Sequence, residues 1–211
     1  KDFYSLILKS RVRLETDANI WIVGGTQLMP RATDGRAVLS RYPITWGWAT
    51  TRSKWAEIRS ALIEGSKTYV SFRGSGLRCT ESLYWRTGAR RCYRGFNDAW
   101  DIPFALAFIT HNKFCILPSE SLIKNVGDDS FALHTTSNSS GIKLETGRLQ
   151  DDLDNLERSI SYEAWIRESH YKIRRRYVVT NLLRRFWDFF AGFWETDVRK
   201  PLLQRWQEVN P

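Results

Sequence analysis

The stretch Trp46-Gly47-Trp48-Ala49-Thr50-Thr51-Arg52-Ser53-Lys54-Trp55 decides how the rest of this chain is organised. Thr45 to Thr50 reads as extended backbone with a glycine between two tryptophans. A glycine there lets the main chain approach a ligand, while an indole beside it stacks on the flat face of a ring. The same residues also suit an aromatic core strand, and the pattern alone allows both. Ser53 is placed to cap a helix that runs to about Glu64 and stops at Gly65.

Working outward, Phe3 to Leu14 predicts a helix, followed by a turn at Thr16-Asp17-Ala18-Asn19. Ile20-Trp21-Ile22-Val23 is a short β-prone apolar run halted by Gly24-Gly25, as expected of a buried strand. Residues 26–41 carry Pro30, Asp34 and Gly35 and read as loop. On the other side, Thr68 to Phe72 alternates like a strand, and Thr80 is placed to cap a helix through about Arg94, weakened at Gly88. Asp98 is placed to cap a third helix from Ala99 to about His111, where Pro103 is tolerated near the first turn. Phe114-Cys115-Ile116-Leu117 is a strand ended by Pro118, and Thr135 to Gly141 is a Ser/Asn/Gly-rich loop. Strands alternating with helices predict an α/β fold. At Asp151 the composition turns charged and aromatic, which divides the chain into residues 1–150 and a helical extension, residues 151–211.

With 211 residues and 42% hydrophobic side chains, the chain can bury a real core. Cys79, Cys92 and Cys115 are odd in number and far apart, so they predict buried thiols in a reducing, cytoplasmic compartment rather than disulfides or a zinc site. A net charge of +9 favours an anionic partner: a phosphorylated substrate, an anionic membrane face or nucleic acid. Ten tryptophans suit the gripping of flat rings and the lining of membrane interfaces as well as core packing.

Asn97-Asp98-Ala99-Trp100-Asp101 sets two carboxylates around a tryptophan at a predicted helix start. A carboxylate so placed can take a proton from a hydroxyl as its oxygen attacks. It can equally cap the helix, and Asp98 with Asp101 three residues on suits a capping arrangement. Further on, Asn125-Val126-Gly127-Asp128-Asp129 precedes Ala132-Leu133-His134-Thr135-Thr136. His111 and His170 have no motif around them. Asp152-Leu153-Asp154 has the spacing of a metal-binding pair but follows His134 on a predicted helix. No P-loop and no G-x-G-x-x-G is present.

In this order, the three blocks resemble the acceptor-side half of an inverting GT-A glycosyltransferase, closest to bacterial family-two-like enzymes whose tryptophan motif reads W-G-W-A-T-W. Thr51 stands where that motif has its last tryptophan. The resemblance covers about residues 1–140. It implies a partial GT-A, Rossmann-like fold and sugar transfer from a nucleotide-sugar to a hydroxyl acceptor in glycan or glycolipid assembly. It implies further that the catalytic base is Asp101 or Asp98, with Asp101 preferred because Asp98 suits the helix cap, that Trp46, Gly47, Trp48 and Trp100 line the sugar pocket, and that Gly24-Gly25 form the turn near the donor. His134 corresponds to a late histidine that helps hold the metal or the diphosphate. A divalent cation, Mn²⁺ or Mg²⁺, is implied for the complete enzyme. Lys1-Asp2-Phe3-Tyr4 is similar to the segment just after the family's Asp-x-Asp motif, so the donor-nucleotide half is expected on a preceding segment or partner chain. The competing expectations are a non-catalytic glycosyltransferase-like module that binds glycan, lipid or a partner, and a basic nucleic-acid-binding domain, for which no RNA-binding signature speaks.

In the extension, Lys172-Ile173-Arg174-Arg175-Arg176 and Arg184-Arg185-Phe186-Trp187 are basic clusters. Leu182, Phe186, Phe189, Phe190, Phe193 and Trp194 recur at helical spacing. A basic, aromatic, amphipathic helix suits peripheral contact with the inner membrane face and a lipid-linked acceptor. The alternative is a helix packed on the catalytic part or on a second copy. The membrane expectation is checked by flotation with phosphatidylglycerol liposomes. The chain should float, more weakly in high salt, and deletion of residues 172–194 should abolish flotation. Undiminished flotation after the deletion contradicts it.

Overall fold

The structure is a computed structural model and describes residues 2–29, 36–67, 77–124, 146–148, 153, 155–173, 183 and 186. They form a mixed α/β arrangement with one small mixed sheet of four strands and five α-helices. The chain divides into two compact units, each discontinuous in sequence. One comprises Lys1–Lys54 with Phe114–Ile166, the other Trp55–Lys113 with Arg167–Pro211. Among the described residues no helix is long and apolar enough to cross a membrane.

The first unit opens with helix α1, Asp2–Thr16. It buries Leu6, Ser10 and Leu14, four residues apart, and turns Tyr4, Leu8 and Val12 outward. One stripe alone therefore faces the core. The helix stops where Thr16 Oγ1 donates to the Val12 carbonyl at 2.9 Å. The Asp17 carboxylate accepts from Asn19 N at 2.8 Å, closing the turn that the sequence predicts.

Strand β1, Ile20–Gly24, follows and is buried at every position. A strand covered on both faces needs apolar residues throughout, which explains its unbroken run. It pairs in parallel with β4, Phe114–Leu117, and antiparallel with β3, Trp48–Ala49, where Gly24 faces Trp48. Strand β2, Val38–Ser40, pairs antiparallel with the far side of β4, giving the order β2-β4-β1-β3. β2 lies within residues 26–41, read above as loop. Three residues are too short to show a periodicity, and only the partner strand makes them a strand. Leu6, Leu14, Ile20, Val23, Ala37, Ile116 and Leu153 make one contiguous core.

The extension differs from its expectation as well. Leu153 and residues 155–159 are not helical. Instead, Arg158 bridges to Leu39 in parallel, with Leu39 N donating to the Glu157 carbonyl at 2.9 Å and Ser159 N to the Leu39 carbonyl at 3.0 Å. The edge of β2 thus takes up backbone groups that a helix would have satisfied internally. Helix α5, Ile160–Trp165, begins only after Ser159, whose hydroxyl accepts from Tyr162 N at 3.2 Å, and a π turn, Ile166–His170, begins where α5 ends.

Glu163 of α5 is 3% exposed and fastens this segment. Its carboxylate accepts from Arg158 Nε at 3.0 Å and Nη2 at 2.7 Å, and from the Arg41 backbone N at 2.9 Å. The Arg158 contact is the two-pronged kind that holds a guanidinium and a carboxylate in one plane. The buried Arg41 guanidinium lies 3.5 Å from the same carboxylate, and Arg158 also lies over the Phe114 ring at 5.9 Å.

Helix α2, Arg52–Lys67, runs from the first unit into the second. Its cap is not Ser53, which lies inside the helix; Thr51 Oγ1 accepts from Lys54 N at 3.3 Å. Ile58, Ala61 and Leu62 are its buried apolar residues. In the second unit, helix α3, Cys79–Tyr93, starts after Arg78 with no side-chain cap, so Thr80 is not the capping residue. Helix α4, Asp101–Thr110, is buried from Pro103 to Ile109. α3 and α4 pack so closely at Gly88 that a Cβ there would lie 2.9 Å from Ile102 Cγ2. The glycine that weakens α3 thereby lets α4 approach. Tyr93 ties α3 to α2 by donating to the Leu62 carbonyl at 3.1 Å. Cys92 and Cys115 are buried, whereas Cys79 is exposed, contrary to its expected burial. Residues 68–72, the loop 135–141 and most of the predicted helix 172–194 lie outside the described residues; Leu183 and Phe186 are helical and exposed.

Removing one partner of a buried ion pair strands the other. Glu163→Ala should therefore destabilise the chain by about 3–5 kcal/mol, and Arg41→Met/Glu163→Leu should recover most of that. Urea unfolding of the three proteins checks this; equal stability of Glu163→Ala and wild type contradicts it.

Candidate functional site

Two groups of the expected site residues take shape, one in each unit. In the first unit, β1 and β4 are parallel neighbours, and open sheets bind ligands beyond the carboxyl ends of such strands. After β1 the chain runs through Gly25, Thr26 and Gln27, and after β4 through Ser119, Ser121 and Ile123. Trp46-Gly47-Trp48 crosses beside them. Gly25 N donates to the Gly47 carbonyl at 2.8 Å, and Thr26 Oγ1 to the Trp46 carbonyl at 2.5 Å. Leu122 N donates to the Gly25 carbonyl at 2.8 Å, and Gln27 Nε2 to the Pro118 carbonyl at 3.0 Å. Thr26, Gln27, Ser119 and Ser121 are buried here, a polar set at the strand ends.

The glycines of this group have a definite reason. Gly47 has φ +61°, and a Cβ on it would collide with Ile123 Cδ1. That φ lies in the left-handed region, which glycine enters freely. A Cβ on Gly25 would meet the same methyl at 2.5 Å and Phe3 Cδ2 at 2.7 Å, and one on Gly24 would meet Leu117 Cδ2 at 2.9 Å. The close approach that these glycines permit in the structure is to apolar side chains, chiefly Ile123. Trp46 and Trp48 are half-buried, so neither is a core residue.

In the second unit, the expected capping arrangement at Asp98 does not form. Helix α4 begins at Asp101 rather than Ala99, and its cap position, Trp100, has helical backbone angles and no side-chain capping bond. The turn before it is made by Asn97, whose Oδ1 accepts from Ala99 N at 3.1 Å, and by the Asp98 carbonyl, which accepts from Trp100 N at 2.8 Å. Asn competes with Asp for such turns, and here it wins the position two residues before its donor. Asp98 is exposed and Asp101 half-buried. Trp100 is exposed and meets Phe104 edge-on, their rings 5.5 Å apart. Among the described residues no hydrogen bond or ion pair takes up the Asp101 carboxylate.

Asp101 nevertheless acts on two neighbours. Burial first, and then the Asp101 carboxylate, push the Cys92 thiol up to about 12, because both disfavour the thiolate. Cys92 is therefore a neutral thiol, and its Sγ donates to the Ala99 carbonyl at 3.2 Å. Burial lowers the pKa of His170, while Asp101 works in the opposite direction and Lys172 adds to the lowering. His170 is the residue that sequence reasoning passed over. No motif surrounds it, and the π turn that delivers it leaves no periodicity to read.

His134, the expected metal or diphosphate ligand, lies outside the described residues. Among the described residues no three His, Cys, Asp or Glu side chains gather as ligands of one metal ion. They do not by themselves supply the cation site that the resemblance implies, and no step below runs through a cation.

Gly47→Ala should cost about 1–2 kcal/mol for the left-handed backbone alone, and more for the collision with Ile123. Adding Ile123→Ala should relieve the collision but leave the backbone term, so the double variant stays less stable than Ile123→Ala alone. Denaturant unfolding of the four proteins measures both parts. Gly47→Ala as stable as wild type contradicts the assignment.

Compared with known proteins, the chain matches no family model, no curated protein and no solved structure.

Proposed function

We propose that this chain is the acceptor-side portion of an inverting glycosyltransferase that moves a sugar from a nucleotide-sugar to a hydroxyl acceptor in glycan or glycolipid assembly. The observation that carries this reading is Asp101. It is a half-buried carboxylate at the first position of α4, next to the exposed indole of Trp100, and helix capping does not account for it.

In this reading Asp101 accepts the proton of the acceptor hydroxyl. That O–H bond breaks as the oxygen forms a bond to the anomeric carbon from the face opposite the leaving group. The bond between the anomeric carbon and the diphosphate oxygen breaks, and its electron pair leaves with the nucleoside diphosphate. One carboxylate suffices because a single displacement inverts the centre. Trp100 offers a ring face against which an acceptor sugar can stack. Within the first unit, and taken by themselves, the half-buried Trp46 and Trp48 beside Gly24, Gly25 and Gly47 are ring faces on which a sugar can stack. His134 and a divalent cation belong to the donor diphosphate in this proposal. The basic composition of the extension suits peripheral contact with an anionic membrane face, where a lipid-linked acceptor would be met.

In the complete enzyme, Asp101→Asn should lower kcat about a hundredfold or more and leave donor binding nearly unchanged. Asp98→Asn should keep most activity. An inactive Asp98→Asn beside an active Asp101→Asn moves the base to Asp98. Normal turnover by both variants contradicts the reading and favours a non-catalytic module.

A further inference from the structure

The charge of this chain is divided unequally between its two units. The first unit holds thirteen lysines and arginines against thirteen aspartates and glutamates, the second nineteen against ten. The entire net charge of +9 therefore belongs to the second unit. Fifteen of its nineteen basic residues are arginines, the side chain whose planar fork matches phosphate oxygens in pairs. Such an excess of one sign repels itself and favours an anionic partner.

Helix α3 presents part of this charge. From Ser82 to Asn97 the sequence has four arginines and no carboxylate. Trp85, Ala89 and Cys92 are buried along one side of the helix. Leu83, Arg86, Arg90 and the C-cap residue Arg94, three and four residues apart, line the other side. Arg90 and Arg94 are exposed, Leu83 and Arg86 half-buried. Closure of the helix end does not account for the two exposed arginines, because the backbone does it alone. Arg94 N donates to the Arg90 carbonyl at 3.1 Å, Gly95 N to that of Cys92 at 3.0 Å and Phe96 N to that of Arg91 at 2.9 Å, with Gly95 at φ +78°. This glycine-terminated cap takes up the last carbonyls without any side chain. Among the described residues neither Arg90 nor Arg94 has an acidic partner, and Glu81 is engaged by Arg167.

The second unit also exposes Trp100, Leu183 and Phe186, the last two helical and three residues apart. A lipid surface takes up both kinds of side chain at once, arginines at the headgroup phosphates and large apolar groups at the acyl boundary. A single-stranded nucleic acid would stack on the rings but offers nothing to an aliphatic Leu183.

We propose that the second unit docks on an anionic bilayer with Arg90 and Arg94 of α3 against lipid phosphates, a contact additional to the basic clusters of residues 172–194. Its setting rests on the lipid-linked acceptor proposed above, but the binding itself requires no sugar transfer. The first unit, with no net charge, adds no net attraction.

The test is the partition of the 211-residue chain onto phosphatidylcholine vesicles with and without phosphatidylglycerol, for the wild type and two variants of equal net charge. Arg90→Gln/Arg94→Gln neutralises the α3 row, and Lys9→Gln/Lys124→Gln removes two exposed charges from the first unit. A basic residue close to an anionic surface is worth about fivefold in partition, so the α3 pair should lower binding about 25-fold. It should also flatten the fall of binding with salt. The Lys9/Lys124 pair should bind as the wild type does. An α3 pair that binds like the wild type overturns the proposal. Equal weakening by both pairs overturns it too, because net charge alone would then explain the binding. Should the α3 pair fail to fold, Arg94→Gln alone decides: about fivefold weaker partition is expected, and unchanged partition overturns the proposal. A wild type that ignores vesicles but is retained on a single-stranded oligonucleotide, and released by salt, overturns it in favour of nucleic acid. Absence of any sugar transfer by the complete enzyme sinks the proposed function and leaves the partition result standing.

Discussion

The parallel pairing of β1 with β4 is the constraint on which the first unit depends. Parallel neighbours cannot be joined by a tight turn, so a long crossover is obligatory. Here the connection includes all of α2, α3 and α4. Both strands are apolar because the pair lies in the middle of the sheet, with β2 outside β4 and β3 outside β1. Its direction also sets the chemistry. Two chains leave the sheet on the same side, and the buried polar residues Thr26, Gln27, Ser119 and Ser121 collect there beside Trp46 and Trp48. Without the β1–β4 register, neither the seat of Ile123 against Gly25 and Gly47 nor the polar set at the strand ends would exist.

The edges of the sheet are closed by less regular means. β3 has only two residues, yet Thr50 Oγ1 donates to the Trp21 carbonyl at 2.6 Å and Lys54 Nζ to the Asp17 carbonyl at 3.1 Å, which hold the chain as it leaves for α2. At the other edge, Arg158 and its neighbours cover β2, and Glu163 binds that cover to Arg41. A buried carboxylate with two guanidinium partners is a poor source of net stability compared with an apolar contact of equal volume, but it tolerates only one arrangement. The edge is thereby closed with a defined register.

Elements with a clear period or a clear stop were legible. α1 follows from its stripe and the Asp17 turn, β1 and β4 from unbroken apolar runs that end at Gly24-Gly25 and at Pro118. Elements fixed by partners were not legible: β2 is a strand only because β4 and Arg158 flank it, and the residues before α5 are extended only because Leu39 bonds them. Helix starts failed for a related reason. Ser53, Thr80 and Asp98 are good caps in isolation, but Thr51, Arg78 and Trp100 hold the positions where the backbone turns, and the side chain's preference follows the backbone. At the candidate site, Asp101 was legible as a carboxylate beside a tryptophan at a helix start. His170, whose pKa Asp101 influences, was not, because no motif surrounds it and the π turn that carries it leaves no periodicity to read.

The proposed single base and single displacement would fix the stereochemistry of the product. The direct measurement is proton NMR of the first product formed by the complete enzyme, read from the coupling of the anomeric proton before any slow equilibration. An α-linked nucleotide-sugar should give a β-linked product. An α-linked product would contradict it, because retention requires a second displacement or a front-face reaction that a single carboxylate base at Asp101 does not provide.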